Sequence, residues 1–434
     1  MLGRYVVRRV LSGMCSLALA AALVGCGAYD VGETGASGGT DKGGTGRQMA
    51  AVNLMENVGE NTYATDGANA AEPYVYTQLG LELLQKSLDE GSSTVISPLS
   101  VLEALTMAAI GSGGNTRKQF EAAFGTDVDG MAAYLYRYDS AFADDGRLKV
   151  ANSVWYKNAS DISIKEEYLA RVKGLFAADA YKAPFDETTL ADINGWVSDN
   201  TDGMIPGILE EISDEDAMYL LNAVAFDGEW AEQYGDANVH DGSFNAQDGT
   251  RQTATMMYSE ESLYLSDEHA TGFIKFYKGE DYAFVALLPE EGLDVVDYVR
   301  SLDGEHLGEL LANPEYVDVH CTMPKFSATY DIELSGVLAS MGITDAFSGD
   351  KADFSGMGTS ADTDLYIGSV IHKAYMEVDE KGTKAGAATA IGMVKQTALI
   401  ENYKTVYLDR PFLYMIVDCS QWQPVFMGTL MGVD

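Results

Sequence analysis

From about Glu72 to Asp434 the chain contains no stretch of linker composition long enough to divide it. A unit of that length exceeds the roughly 100 to 200 residues of an ordinary domain, so these residues must share one extended core. The periodicity changes along it. Tyr76 to Leu88 carries apolar residues three and four apart, the mark of an amphipathic helix. Ser97-Pro98-Leu99-Ser100 offers a cap before an apolar helix in which Met107 to Ile110 leaves no polar face. Glu166 to Leu175 and the segment through Asp192 to Val197 are also predicted helical. Strand-like patterns follow at Met218 to Phe226, Tyr282 to Leu288, Val317 to Met323, Tyr366 to Val378 and Phe412 to Val417. Helices first and strands later argue for a mixed α+β domain with large sheets rather than a doubly wound fold. An apolar fraction of 47% excludes a disordered or fibrous chain, and a net charge of −38 excludes nucleic acid as a partner because such a surface repels phosphate.

The N-terminus has a separate logic. Arg4, Arg8 and Arg9 precede an apolar run from Val10 to Val24, and Leu23-Val24-Gly25-Cys26 closes it. This reads as an export signal over residues 1–25, too short for a typical spanning helix. Its ending resembles a bacterial lipoprotein box, which implies cleavage before Cys26, diacylglycerol on its thiol and an acyl chain such as palmitate on the new amino group. The protein is therefore expected in a bacterial cell envelope, lipid-anchored to a membrane and externally exposed, with release to the extracellular space left open. Residues 26–71 are read as the lipidated cysteine and a flexible glycine-rich tether, and residues 72–434 as the folded body.

No catalytic centre emerges. The chain has no GxSxG, HExxH, phosphate loop or dinucleotide fingerprint, and its five histidines are scattered without metal-ligand spacing. No cofactor and no metal are implied. Cys321 and Cys419, each among apolar neighbours, read as small buried hydrophobes. The unusual stretch is Met376 to Asn402, where a strand pattern passes through a charged turn into Gly382-Thr383 and then the small residues Ala385-Gly386-Ala387-Ala388-Thr389-Ala390. Small side chains lower the steric cost of inserting a strand between two existing ones.

With that stretch in view, the chain from about Glu72 onward resembles the serpin family. The likeness is spread over Ser97 to Ser100, Gly114-Asn115-Thr116-Arg117, Asn194-Gly195-Trp196-Val197, Leu221-Asn222-Ala223, Gly228-Glu229-Trp230 and Met323-Pro324-Lys325-Phe326. It continues through Met341 to Phe347, His372-Lys373-Ala374, the glycine-threonine hinge, Asp409-Arg410-Pro411-Phe412 and Pro424 to Gly428. The resemblance implies the serpin fold, with about nine helices, three β-sheets and an exposed reactive-centre loop. It implies no enzyme but a single-use inhibitor. A target serine protease attacks one loop bond, and the cleaved loop inserts into the central sheet before the acyl-enzyme hydrolyses. A monomer is expected, and a cysteine protease is a second target class because a thioester can be trapped in the same way. A noninhibitory serpin acting as a cell-surface binding protein is the alternative.

The same comparison assigns residues. Glu380, Lys381, Gly382 and Thr383 with Ala385, Gly386, Ala387 and Ala388 resemble the proximal hinge, Gly382 permitting a changed backbone path and Thr383 entering the sheet first. Lys384 stands where the family commonly has glutamate. Ser97, Ser100, Asn222 and His372 resemble the shutter beneath the central sheet, and Trp230 with Glu380 the breach where insertion begins. The usual distance from the hinge places the reactive bond at Gln396-Thr397, with the bond after Lys395 next; Met393-Val394 and Leu399-Ile400 are further candidates.

Overall fold

The computed structural model describes residues 49–59, 70–142, 146–158, 162–212, 216–359, 365–383 and 403–433, with the backbone alone at 141 and 142. Among them are nine α-helices and three sheets, as the family resemblance implied. The helices predicted from periodicity are present as Pro73–Ser87, Pro98–Gly111, Glu166–Phe176 and Glu187–Asn200. Pro98–Gly111 is held at its start by Ser97, whose side chain accepts from the Ser100 amide. Every residue of this helix is buried, which is why its sequence shows no polar stripe. No described helix is long and apolar enough to cross a membrane.

The eight-stranded central sheet positions the site. Its middle strand, Met218–Phe226, is buried along its whole length and runs antiparallel to Leu148–Lys157 on one side. On the other side it runs parallel to Ser369–Val378, in register from Tyr219 with Ser369 to Ala225 with Tyr375. Burial on both faces explains why Asn222 alone interrupts its apolar run. Phe326–Glu333 pairs with the far edge of Ser369–Val378. A nine-stranded second sheet includes the sixteen-residue strand Arg251–Ser266, and a two-stranded pair completes the set.

One boundary differs from expectation. Residues 49–59 fall within the expected tether, yet Val52–Asn53 adds an edge strand against Asp179–Ala183. The Ala50 and Ala51 amides donate to Asp192 Oδ2 at 2.7 and 2.9 Å, and Lys173 Nζ donates to the carbonyls of Met55 and Val58. Met55 and Val58 are buried in the main core. Linker-like flanking composition masked these two apolar anchors, and an open sheet edge supplied the backbone partners.

Hydrogen bonds to a charged acceptor contribute about 1.5 to 3 kcal/mol, so Asp192→Ala should speed amide exchange at Ala50 and Ala51 by about tenfold or more. Hydrogen-exchange mass spectrometry of that segment, with the Pro98–Gly111 helix as the internal standard, checks this; unchanged protection would show that Asp192 does not hold the segment.

Candidate functional site: the seam of the central sheet

The parallel contact between Met218–Phe226 and Ser369–Val378 is a seam with a mouth and a floor. At the mouth, Asp379 builds a tight turn: its Oδ1 accepts from the Lys381 and Gly382 amides, and its own amide donates to the Gly382 carbonyl. The turn folds Gly382–Thr383 back as a two-residue strand between Val378 and Gly228–Glu229. Val378 pairs with Phe326 on its other edge, so Thr383 lies on the Met218–Phe226 side, at the upper end of the seam. The resemblance placed Thr383 as the first side chain to enter; here it is already seated, fully buried, with its Oγ1 2.6 Å from the Tyr277 hydroxyl.

Gly382 also meets a packing requirement that the sequence did not show. Its φ is not positive; instead, a Cβ there would lie 2.0 Å from the Gly228 carbonyl oxygen and 2.7 Å from Glu229 Cα. The glycine allows close backbone approach, not an unusual turn. Trp230 and Glu380 do meet in this region. The Trp230 amide and indole N–H donate to the carbonyls of Lys381 and Asp379, and its ring stacks on Tyr277 at 4.4 Å. Glu380 pairs with Lys325 at 3.1 Å, while its carbonyl accepts from the Tyr234 amide. Behind the indole, the buried Lys275 ammonium lies over the Tyr234 and Trp230 rings and pairs with Glu261 at 2.8 Å.

At the floor, Ser97, Ser100, Asn222 and His372 come together. Asn222 and His372 are direct register partners across the seam. The Ser97 amide donates to His372 Nε2 at 3.2 Å, which fixes the neutral tautomer with Nδ1–H donating to Asn222 Oδ1 at 2.6 Å. The Ser100 hydroxyl donates to the same Asn222 oxygen, while Asn222 Nδ2 donates to the Ser100 carbonyl and to Asn152. Burial pushes His372 down to about 3, so it is an uncharged hydrogen-bonding strut. The sequence reading missed the continuation of this chain: Asn152 donates to Glu103, and Glu103 shares a hydrogen bond with Asp139. Burial raises both carboxyls, Asp139 to about 7, and the charge of Asp139 raises Glu103 further. Glu103 lies in the apolar run Val101 to Ile110, and Asp139 lies on Val128–Phe142; only the packing of two helices against the sheet joins them.

Cys321 and Cys419 are both free, one buried and one half-buried, and burial pushes the Cys419 thiol up to about 12. Ala385, Gly386, Ala387, Ala388, Lys395, Gln396, Thr397 and Cys26 lie outside the described residues.

A family model described as "Serpin (serine protease inhibitor)" matches residues 75–433. The chain belongs to the serpin family. Leukocyte elastase inhibitor A of Mus musculus is 30% identical over 375 residues, covering 81% of this chain and 97% of that protein. Among solved structures, the thermophilic serpin tengpin in its native state is 40% identical, with a TM-score of 0.84, covering 89% of this chain and all of the other. Tengpin in its latent state, 39% identical and covering 84% of this chain and 99% of its own, superposes less well, at a TM-score of 0.73. The serpin described here therefore superposes better on the native than on the latent form of that protein, and its own seam is closed below Thr383.

The acid pair gives this serpin a defined pH response. A native carboxyl raised to about 7 keeps its proton where the unfolded chain, near 4, has lost it. Its contribution therefore stabilises the fold as pH falls from 7 towards 4 and costs stability above 7, whereas His372 acts in the opposite direction below about 6.5. Asp139→Asn should raise the unfolding midpoint at pH 8 by a few degrees and lose that advantage by pH 5. Thermal melts across this range check it; an equal shift at both pH values would show that the pair does not hold a proton.

Proposed function

We propose that this serpin inhibits a serine-class endopeptidase as a single-use covalent trap. The observation that carries the reading is Gly382–Thr383 seated at the mouth of a closed parallel seam, one residue, Lys384, before a run of small side chains. The serine Oγ of the protease adds to the carbonyl carbon of the reactive bond, the tetrahedral intermediate collapses, and the new amine leaves carrying a proton. The protease is then esterified to the upstream piece. That piece continues from Thr383 into the seam, drawing the protease with it and distorting it before water can attack the ester.

The segment upstream of Gln396 is long enough to line the whole seam, as it is for each of the other candidate bonds. Residues 384–396, extended at about 3.3 Å each, reach about 43 Å, against about 30 Å for the nine residues of Met218–Phe226. Ala385 to Ala388 can then pass between the strands without displacing bulky neighbours. Entry must part Asn222 from His372, so the neutral floor network acts as the catch that insertion undoes. The prior for the serine class comes from the family's inhibitors, and elastase is named in the relative from Mus musculus.

Incubating the residue 47–434 fragment with trypsin, chymotrypsin and pancreatic elastase should give a one-to-one complex stable to denaturation with at least one of them. Intact mass of the released C-terminal piece identifies the bond. Loop cleavage by all three without a stable complex would favour a noninhibitory binding role, and trapping of papain alone would favour the cysteine class.

Thr383→Arg places a charge where the native hydroxyl is buried against Tyr277, a costly exchange. Cleavage should persist, while the number of inhibitor molecules consumed per protease rises several-fold and post-cleavage thermal stabilisation is impaired. Wild-type stoichiometry with rapid stabilisation would remove Thr383 from the insertion step.

We also propose attachment to a bacterial membrane through lipidated Cys26. Two or three chains give a durable anchor where one gives a reversible one. Cys26→Ser should move the protein from the detergent-soluble membrane fraction to the aqueous fraction, and absence of lipid mass on the wild type would remove the anchor.

A further inference from the structure

We infer that the cavity enclosed by Pro98–Gly111, Val128–Phe142, Leu148–Lys157 and Glu166–Phe176 binds a small arylalkyl ammonium, a cation on a short arm carrying one aromatic ring, which pairs with Glu103 and Asp139 and tightens the floor of the seam. The site does not depend on the inhibitory reading and is tested without a protease.

The cavity holds about 430 Å³, within the range of small-molecule sites. Its walls are apolar and aromatic, with Leu99, Val150, Leu175 and Phe176 facing the rings of Tyr136 and Tyr138. Its polar part is the carboxyl pair, one member from each of two helices. Glu103 is only 2% exposed, so it lies deep. Asp139 is half-buried and the neighbouring Ser140 is exposed, so the cavity opens to solvent on their side. A ligand entering there meets Asp139 first and Glu103 last, between walls that favour an apolar body.

The chemistry of the pair identifies the occupant. Buried charges are ordinarily paired, yet among the described residues the groups that act on Glu103 and Asp139 are each other and Asn152, and no cation is among them. Lys173 lines the same cavity, but its ammonium donates to the Met55 and Val58 carbonyls at 3.1 and 3.0 Å. On Leu148–Lys157, Asn152 is neutral and Lys149 pairs with Asp202 at 2.8 Å. Tyr76 and Tyr138 are phenols that burial keeps protonated. The carboxyls therefore share a proton that an ammonium can replace: the amine cation enters, the proton leaves to solvent, and the charge of the site is unchanged. No third His, Cys, Asp or Glu joins the pair among the described residues, so a metal ion lacks its ligand set. An ammonium needs none, since its three N–H donors match two carboxylates and its aromatic arm packs on Tyr136, Tyr138 and Phe176. An ionised Glu103 is also a stronger acceptor for Asn152, which in turn accepts from Asn222, so the ligand tightens the row of hydrogen bonds that closes the floor.

The test titrates the full chain calorimetrically at pH 6 and pH 8 with phenethylammonium, with phenethyl alcohol as the neutral analogue, hydrocinnamate as the anionic one and methylammonium as the cation without a ring. At pH 8 phenethylammonium should bind about tenfold more tightly than each of the other three, the worth of a hydrogen bond to a charged group. Its affinity should rise several-fold from pH 6 to pH 8, with protons released to the buffer at pH 6. Asp139→Asn, which the melts above expect to be more stable at pH 8, should weaken binding about tenfold and flatten the pH dependence. Val150→Phe keeps both acids but fills the cavity, and should weaken binding as much. Thermal melts without ligand establish that each variant folds; if Val150→Phe does not, Asp139→Asn decides alone. Wild-type affinity in Asp139→Asn, or phenethyl alcohol binding as tightly as the ammonium, would reduce the site to an apolar hole and overturn the inference. Methylammonium binding as tightly as phenethylammonium would overturn the ligand class. At saturation, amide exchange in Met218–Phe226 should slow several-fold, and unchanged exchange there would overturn the link to the floor.

Discussion

Everything functional in this structure depends on one row of hydrogen bonds, the parallel pairing of Met218–Phe226 with Ser369–Val378. No loop joins the two strands directly, and the chain between them builds most of the second sheet. Each strand has another partner on its outer edge, Leu148–Lys157 for one and Phe326–Glu333 for the other, so parting the seam leaves two intact half-sheets. An antiparallel strand entering between them would find backbone partners on both sides. The net gain is about 1 kcal/mol per hydrogen bond, small for one bond and large when summed over a strand. What keeps the sheet closed is therefore a local matter, and the structure concentrates it at two places: the Asp379 turn with its stacked Trp230 and Tyr277 at the mouth, and the Asn222–His372 pair at the floor.

The floor is more polar than it needs to be for packing. From Ser97 through His372, Asn222 and Asn152 to Glu103 and Asp139, hydrogen bonds cross from the first turn of one helix, through three strands, to a second helix. Such a network is satisfied only in one register. An acid pair in place of apolar side chains, Glu103 buried and Asp139 half-buried, is a poor source of stability, but it makes the closed arrangement specific and ties its strength to protonation. Below about pH 6.5 the response of His372 opposes that of the two carboxyls and offsets part of it.

Much of this was legible in the sequence where local pattern and burial agree. The predominantly apolar runs of Pro98–Gly111 and Met218–Phe226 announced elements covered on all sides, and Ser97, Ser100, Asn222 and His372 meet at the floor of the seam. The failures share a cause. Asn152, Asp139, Tyr277 and Asp379 carry no local signature; they matter because tertiary packing brings distant segments together. Val52 to Val58 was hidden for the complementary reason, since two apolar residues in a polar stretch carry weight only when a sheet edge and Asp192 are there to receive the backbone. Gly382 shows a subtler limit: glycine was read as conformational freedom alone, whereas the closed site also needs the absence of a Cβ against the Gly228 carbonyl.

The two ends of the seam are held by different kinds of contact. At the mouth, Thr383 is buried against Tyr277 and Gly382 lies too close to the Gly228 carbonyl to carry a side chain, so a change there acts through packing. At the floor, Asn222 and His372 are held by hydrogen bonds that Ser97 and Ser100 complete, so a change there acts by leaving buried polar groups unpaired. The two sets of contacts share no side chain, so the strength of the mouth and that of the floor can be altered separately.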